Sequence, residues 1–262
     1  MSRAIPARSA WLGDLAQPAA WLVAPLLAWE AAVRLFQVPD FILPLPSAVL
    51  LRILADRDTL LLQAGRSTLL IFEGFLLGAV PGLAVGFAIA SSRLLEKALY
   101  PLIVFVQTTP QIAIAPLLIV WFGYGALPKV LLAAMLTFFP VLVDSSTGFK
   151  TIDRRLFHVT RSMGASRWQT FWRIQLPSAL PLILSGCRIS ILTAVTVVIV
   201  VEFLSSNEGL GYVAVRALSN QDLALMFAAI FAAVLIGLAL NMLVDAGERL
   251  LMPWERIRRR DA

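Results

Sequence analysis

The chain has 262 residues, 59% of them hydrophobic and 15% charged, and its mean hydropathy of +0.83 exceeds that of a soluble domain, which is roughly half apolar. A water-soluble fold is therefore excluded and a bilayer is the expected surroundings. The net charge of +6 raises nucleic acid as a partner, but the basic residues cluster in the stretches between apolar runs that a membrane protein's orientation rule would place on one side, so none is expected.

A helix needs about 20 mostly apolar residues to cross a hydrocarbon core of about 30 Å, and six runs qualify. The first, residues 18–38, is interrupted by Glu30 and Arg34, one helical turn apart, where the two charges screen each other. A cleaved signal peptide is the rival reading, since Arg3 and Arg8 precede the run. Against it, no small-residue cleavage site follows cleanly and the run carries a carboxylate. Residues 39–67 open with Phe41-Ile42-Leu43-Pro44-Leu45-Pro46 and then read as one amphipathic helix on the outer surface, with Leu50, Leu51, Leu54 and Leu61 on its apolar side.

The second run, 68–90, carries Gly74, Gly78, Gly82 and Gly86, a spacing that makes a side-chain-free stripe for another helix. The stripe reads either as a sliding surface used in gating or as tight static packing. In the third run, 98–122, Gln107-Thr108-Thr109-Pro110-Gln111 falls near the middle. Pro110 lacks a backbone donor there, so the helix must kink or break. Broken helices at the midplane of transporters commonly line the solute path, which makes Thr108, Thr109 and Gln111 candidate path residues. The alternative is a simple proline kink with the threonines bonded back to their own helix.

The remaining runs are 130–149, 178–203 and 223–246. Near or inside spans lie Glu73, Asp144, Arg188, Glu202 and Asp245, each needing an explanation because an unpaired charge there costs roughly 2.5–3.5 kcal/mol. Glu73, Glu202 and Asp245 are close enough to span ends to reach the interface, and Glu202 is a further candidate for the path. Arg188 is deeper, and Asp144 on the preceding span is its predicted partner in a structural ion pair.

With a cytoplasmic N-terminus, most of the 22 basic residues fall on the inner side, leaving only Arg52, Arg57, Arg66, Lys129 and Arg216 opposite and Arg34 and Arg188 inside spans. Both termini are thus predicted cytoplasmic. Cys187 and His158 are the only residues of their kinds, too few for a metal cluster or a histidine-based hydrolase. No HExxH, GxSxG or phosphate-binding GxxxxGK[ST] is present, so the chain is not expected to be an enzyme or to hold a cofactor. No repeat or linker divides it, and residues 1–262 read as one all-α integral membrane domain of six spans.

The inner loop 150–177, between spans four and five, is rich in arginine and in large apolar residues. It reads as two short amphipathic helices, with Leu156, Phe157, Thr160 and Met163 sharing a face in the first and Trp168, Phe171 and Trp172 in the second. Gly164 separates them, able to take the left-handed conformation that ends a helix, and Ser166 is placed to cap the next. On physics alone the pair is equally well an interfacial anchor.

Gly164 is followed by nine residues and then Ile174-Gln175-Leu176-Pro177. In this the loop resembles that of the permease subunits of bacterial binding-protein-dependent ABC importers, whose signature is EAA, three residues, Gly, nine residues, then I-x-L-P. The stretch 161–169 is also similar, although His158-Val159-Thr160 stands where the family has EAA. Residues 109–117, Trp121-Phe122-Gly123-Tyr124-Gly125, Phe138-Phe139-Pro140, Glu202-Phe203-Leu204 and Gly209-Leu210-Gly211-Tyr212 resemble the nitrate, sulfonate and taurine branch, which includes permeases for pyrimidine thiamine precursors.

The resemblance implies a bacterial plasma-membrane permease that moves a small solute. Loop 150–177 becomes a coupling helix-turn-helix in which Arg161, Met163, Gly164, Ala165, Trp168, Phe171, Leu176 and Pro177 meet an ATPase, with Met163, Trp168 and Phe171 as apolar anchors. It further implies two ATPase copies that bind ATP and Mg, a second permease copy completing the path as a homodimer, and an extracytoplasmic solute-binding protein met by residues 205–222. The competing reading is a carrier or channel that works without ATP, which would need buried ionisable relays or an inverted repeat.

Overall fold

The computed structural model describes the backbone of residues 9–252 and the side chains of residue 21 and residues 23–252 except Arg154. Arg3, Arg8 and the basic C-terminal group from Arg256 to Arg260, on which the expected cytoplasmic termini partly rest, lie outside the described residues, as does the Pro253-Trp254 pair.

Among the described residues there are only helices and their connections. In order they are α1 (Ser9–Leu35), α2 (Pro46–Ala55), α3 (Arg57–Ser91), α4 (Arg93–Thr108), a 3-10 turn (Gln111–Ile114), α5 (Ala115–Phe122), α6 (Ala126–Lys150), α7 (Arg154–Ser162), α8 (Arg167–Thr170), a π-turn (Phe171–Gln175), α9 (Leu176–Ser205), α10 (Leu210–Ser219) and α11 (Leu223–Leu251). Four helices are long and apolar enough to cross a membrane, and α4 with the segment Gln111–Phe122 makes a fifth, bent by 77° at its break. The apolar windows of those four are only 33–50% buried within the protein, so most of their surface is left for lipid or a partner subunit.

The core is the layer of α3, α6 and α9. Gly74, Gly78, Gly82 and Gly86 are buried against α6, and a Cβ at Gly82 or Gly86 would stand 2.7 Å from the carbonyl oxygen of Phe138 or Leu142. Backbone thus lies on backbone, which is the tight-packing reading of the stripe. Between α9 and α6, the buried Ser190 hydroxyl donates to the Thr137 carbonyl at 2.7 Å. Ile71, Leu132, Ala133, Ala194, Val197 and Val198 fill the centre.

Residues 39–67 are not one helix. The chain turns at Asp56, and α3 starts at Arg57, well before the apolar run at 68, because nothing between 57 and 67 breaks a helix. Leu50, Leu51, Leu54 and Leu61 point away from the protein, and it is Val49 and Leu60 that are buried. Glu30 does meet Arg34, at 2.5 Å. Its carboxylate also accepts from the Ser47 backbone N–H at 3.1 Å and hydroxyl at 2.8 Å, capping the first turn of α2.

Candidate functional site

The loop between α6 and α9 folds as the sequence spacing requires. Asp153 caps α7 by accepting from the Arg155 N–H at 2.8 Å. Gly164 has φ +68°, the left-handed region, with no atom within 4 Å of where its Cβ would sit, so conformation rather than space calls for glycine. Ser166 and Gln169 then form a reciprocal capping box, the Gln169 N–H reaching the Ser166 hydroxyl at 3.2 Å and the Ser166 N–H the Gln169 carbonyl at 2.8 Å.

The apolar residues of the loop divide into two sets. Met163 is 79% exposed and Trp168 69%. Phe171, half-buried, lies between the two sets, edge-on to Phe87 at 5.1 Å and stacked on Phe149 at 6.3 Å on the bundle side and on the exposed Trp168 at 6.1 Å on the other. Thr160 is buried, while Arg161 and Ala165 line a cleft of about 820 Å3 between loop and bundle. Leu176 and Pro177 lie where the π-turn passes into α9, a local widening at which proline's missing donor is accommodated within a continuous helix.

A second concavity lies at the break between α4 and α5. Thr109, Pro110 and Gln111 line a groove of about 650 Å3 with Gln107, Phe139 and Asp144, closed on its far side by Ile189 and Thr193 of α9. The Thr108 and Thr109 hydroxyls donate to the Phe105 carbonyl, at 2.8 and 3.2 Å, and the Gln111 amide to that of Val106 at 3.3 Å. The threonines thus bond back to their own helix, as in the simple-kink reading, and a mostly apolar groove also lies at the break.

Two expectations are corrected. Glu202 does not line this groove and does not reach an interface: it is 1% exposed. Its carboxylate accepts from the Ser67 hydroxyl at 2.8 Å and the Gly211 N–H at 2.8 Å, while Ser67 accepts from the Leu210 N–H at 2.9 Å, so α9, α3 and α10 are tied by one buried group. Beside it the buried Lys129 donates to Ser206 at 2.6 Å, a polar knot that the sequence reading missed by treating Lys129 as a loop charge. Arg188 does not pair with Asp144. Its guanidinium reaches Asp245 and, at 2.6 Å, Glu248, both on α11. Helical geometry is the reason: Gly186 packs against Asp144, and a residue two positions on is turned by about 200°, away from α6.

Residues 78–257 match the family described as binding-protein-dependent transport system inner membrane component, more than half of the chain. The chain belongs to this family. Over 92% of its length and 96% of the relative's, it is 34% identical to the formylaminopyrimidine transport permease protein ThiX of Halalkalibacterium halodurans. Over 94% and 89% it is 32% identical to the putative aliphatic sulfonates transport permease protein SsuC of Bacillus subtilis. The inward-facing MetNI methionine ABC transporter shares the fold, with a TM-score of 0.56 at 19% identity, covering 72% of this chain and 96% of that one. The resemblance to the nitrate, sulfonate and taurine branch therefore holds, and the chain is the inner-membrane permease component of a binding-protein-dependent ABC importer. As such it works with an ATPase and a binding protein.

Proposed function

We propose that this permease acts as a homodimer, each copy receiving one of two ATPase subunits that bind ATP and Mg, and that both of its termini are cytoplasmic. The solute is a small organic compound of the kinds carried in its branch, a sulfonate-like or taurine-like anion or a pyrimidine thiamine precursor, passed on by an extracytoplasmic binding protein. That protein meets residues 205–222, where α10 presents Arg216 and Leu218 outward.

The observation that carries this reading is the exposed pair Met163 and Trp168 on either side of Gly164. Large apolar side chains on a rigid, capped turn are what a groove in a partner protein takes up. The groove at the α4–α5 break serves as half of the solute path, and a second copy would close it. The sequence carries no phosphate-binding GxxxxGK[ST], whereas the coupling loop supplies a means of receiving work.

The test is co-purification. From mild detergent, the intact permease should retain an ATPase subunit, and Met163→Asp with Trp168→Asp should release it while leaving the permease monodisperse. Retention of the ATPase by the double variant would remove the coupling role from these residues. Reproducible absence of any ATPase from the unaltered protein would favour an ATP-independent carrier.

A further inference from the structure

The groove at the α4–α5 break has a chemical bias. Its Thr109 hydroxyl spends its proton on the Phe105 carbonyl, and Thr193 spends its own on Ile189 at 2.8 Å. One N–H of the Gln111 amide is used on the Val106 carbonyl, which leaves its second N–H and its side-chain oxygen at the groove. The rest of the groove surface is mostly apolar, with the Gln107 and Gln111 amides and the Thr109 and Thr193 hydroxyls as its neutral polar groups. Among them stands one ionisable side chain, Asp144, half-buried and without a hydrogen bond or ion pair among the described residues.

Asp144 is held there by packing. A Cβ on Gly186 would sit 2.9 Å from the Asp144 Cβ, so α9 approaches α6 closely on that flank and the carboxylate is left beside the groove. The nearest basic candidate, Arg188, is occupied on α11.

Building on the path reading above, we propose that Asp144 is a charge-selecting residue of the solute path. Beside a largely apolar lining it favours a neutral or cationic solute with a flat apolar face to lie on Phe139 over an anion, and so, of the solutes named above, the pyrimidine precursor over the sulfonate-like anions. A carboxylate in a partly dehydrated groove acts over several ångströms with little screening, and in a homodimer two would flank the same path.

The experiment reads charge preference directly. Full-length Cys187→Ala, Thr109→Cys is labelled in detergent with 2-aminoethyl methanethiosulfonate, a cation, and with 2-sulfonatoethyl methanethiosulfonate, an anion of similar size. Relative to a free thiol, the cation should be favoured about tenfold. Asp144→Asn should abolish that preference and Asp144→Glu should keep it; Gln107→Cys repeats the measurement on the same groove should Thr109→Cys fail to fold. A preference unchanged by Asp144→Asn, or one for the anion, overturns the proposal. Because the ratio is read on the permease alone, it stands or falls separately from whether an ATPase co-purifies.

Discussion

Glu202 shows what a single side chain can hold together. Its removal leaves the Gly211 N–H and the Ser67 hydroxyl without their acceptor inside the protein, and deprives the neighbouring Lys129 of the closest negative charge. Glu202→Ala should therefore destabilise the permease by about 3 kcal/mol, and Ser67→Ala by about 1 kcal/mol. Thermal unfolding in detergent measures both, and equal small shifts would mean that the carboxylate is not the centre of the knot. A double-mutant cycle addresses a half-exposed charge: Arg188→Ala and Asp245→Ala should be non-additive by roughly 0.5–1 kcal/mol, because the pair is about 40% exposed, whereas Arg188→Ala and Asp144→Ala should add. Both positions mark where the sequence could not be read. It showed that Arg188 needed a partner and took Glu202 to reach the interface. It did not show which way each points, since that depends on the rotation of α9, fixed by Gly186 against α6 and by Gly211 beside Glu202.

Whole elements were more legible. The break at Pro110, the turn at Gly164 and the cap at Ser166 all follow from local chemistry that acts within a few residues, and each appears in the structure. The start of α3 was missed because hydropathy marks where a helix meets lipid, not where it begins. Residues 57–67 are polar on the side where Gln63 accepts from the Gly209 N–H at 2.7 Å and Arg66 pairs with Glu208 at 2.8 Å. The glycine stripe gives an element-scale expectation. Gly82→Ala should cost about 1–3 kcal/mol by forcing α3 off α6. Gly65→Ala, in the same helix with open space around it, should be neutral or stabilising by a few tenths. A comparable change at both sites in thermal unfolding would show that the close approach of α6 at Gly82 does not set the effect.

At the scale of the molecule, the subunit has apolar flanks and a groove open on one side. Native mass spectrometry of the detergent complex should give two permease and two ATPase copies, and a single permease copy would leave the groove without its other wall. The helix running from Arg167 through the π-turn to Ser205 is 39 residues long, about 58 Å at 1.5 Å per residue. One end carries Trp168 and the other carries Glu202. On the coupling role proposed for loop 150–177, this helix is the lever: a tilt of roughly 5° about the loop would displace the far end by about 5 Å, and the displacement would arrive at the buried carboxylate without leaving the helix.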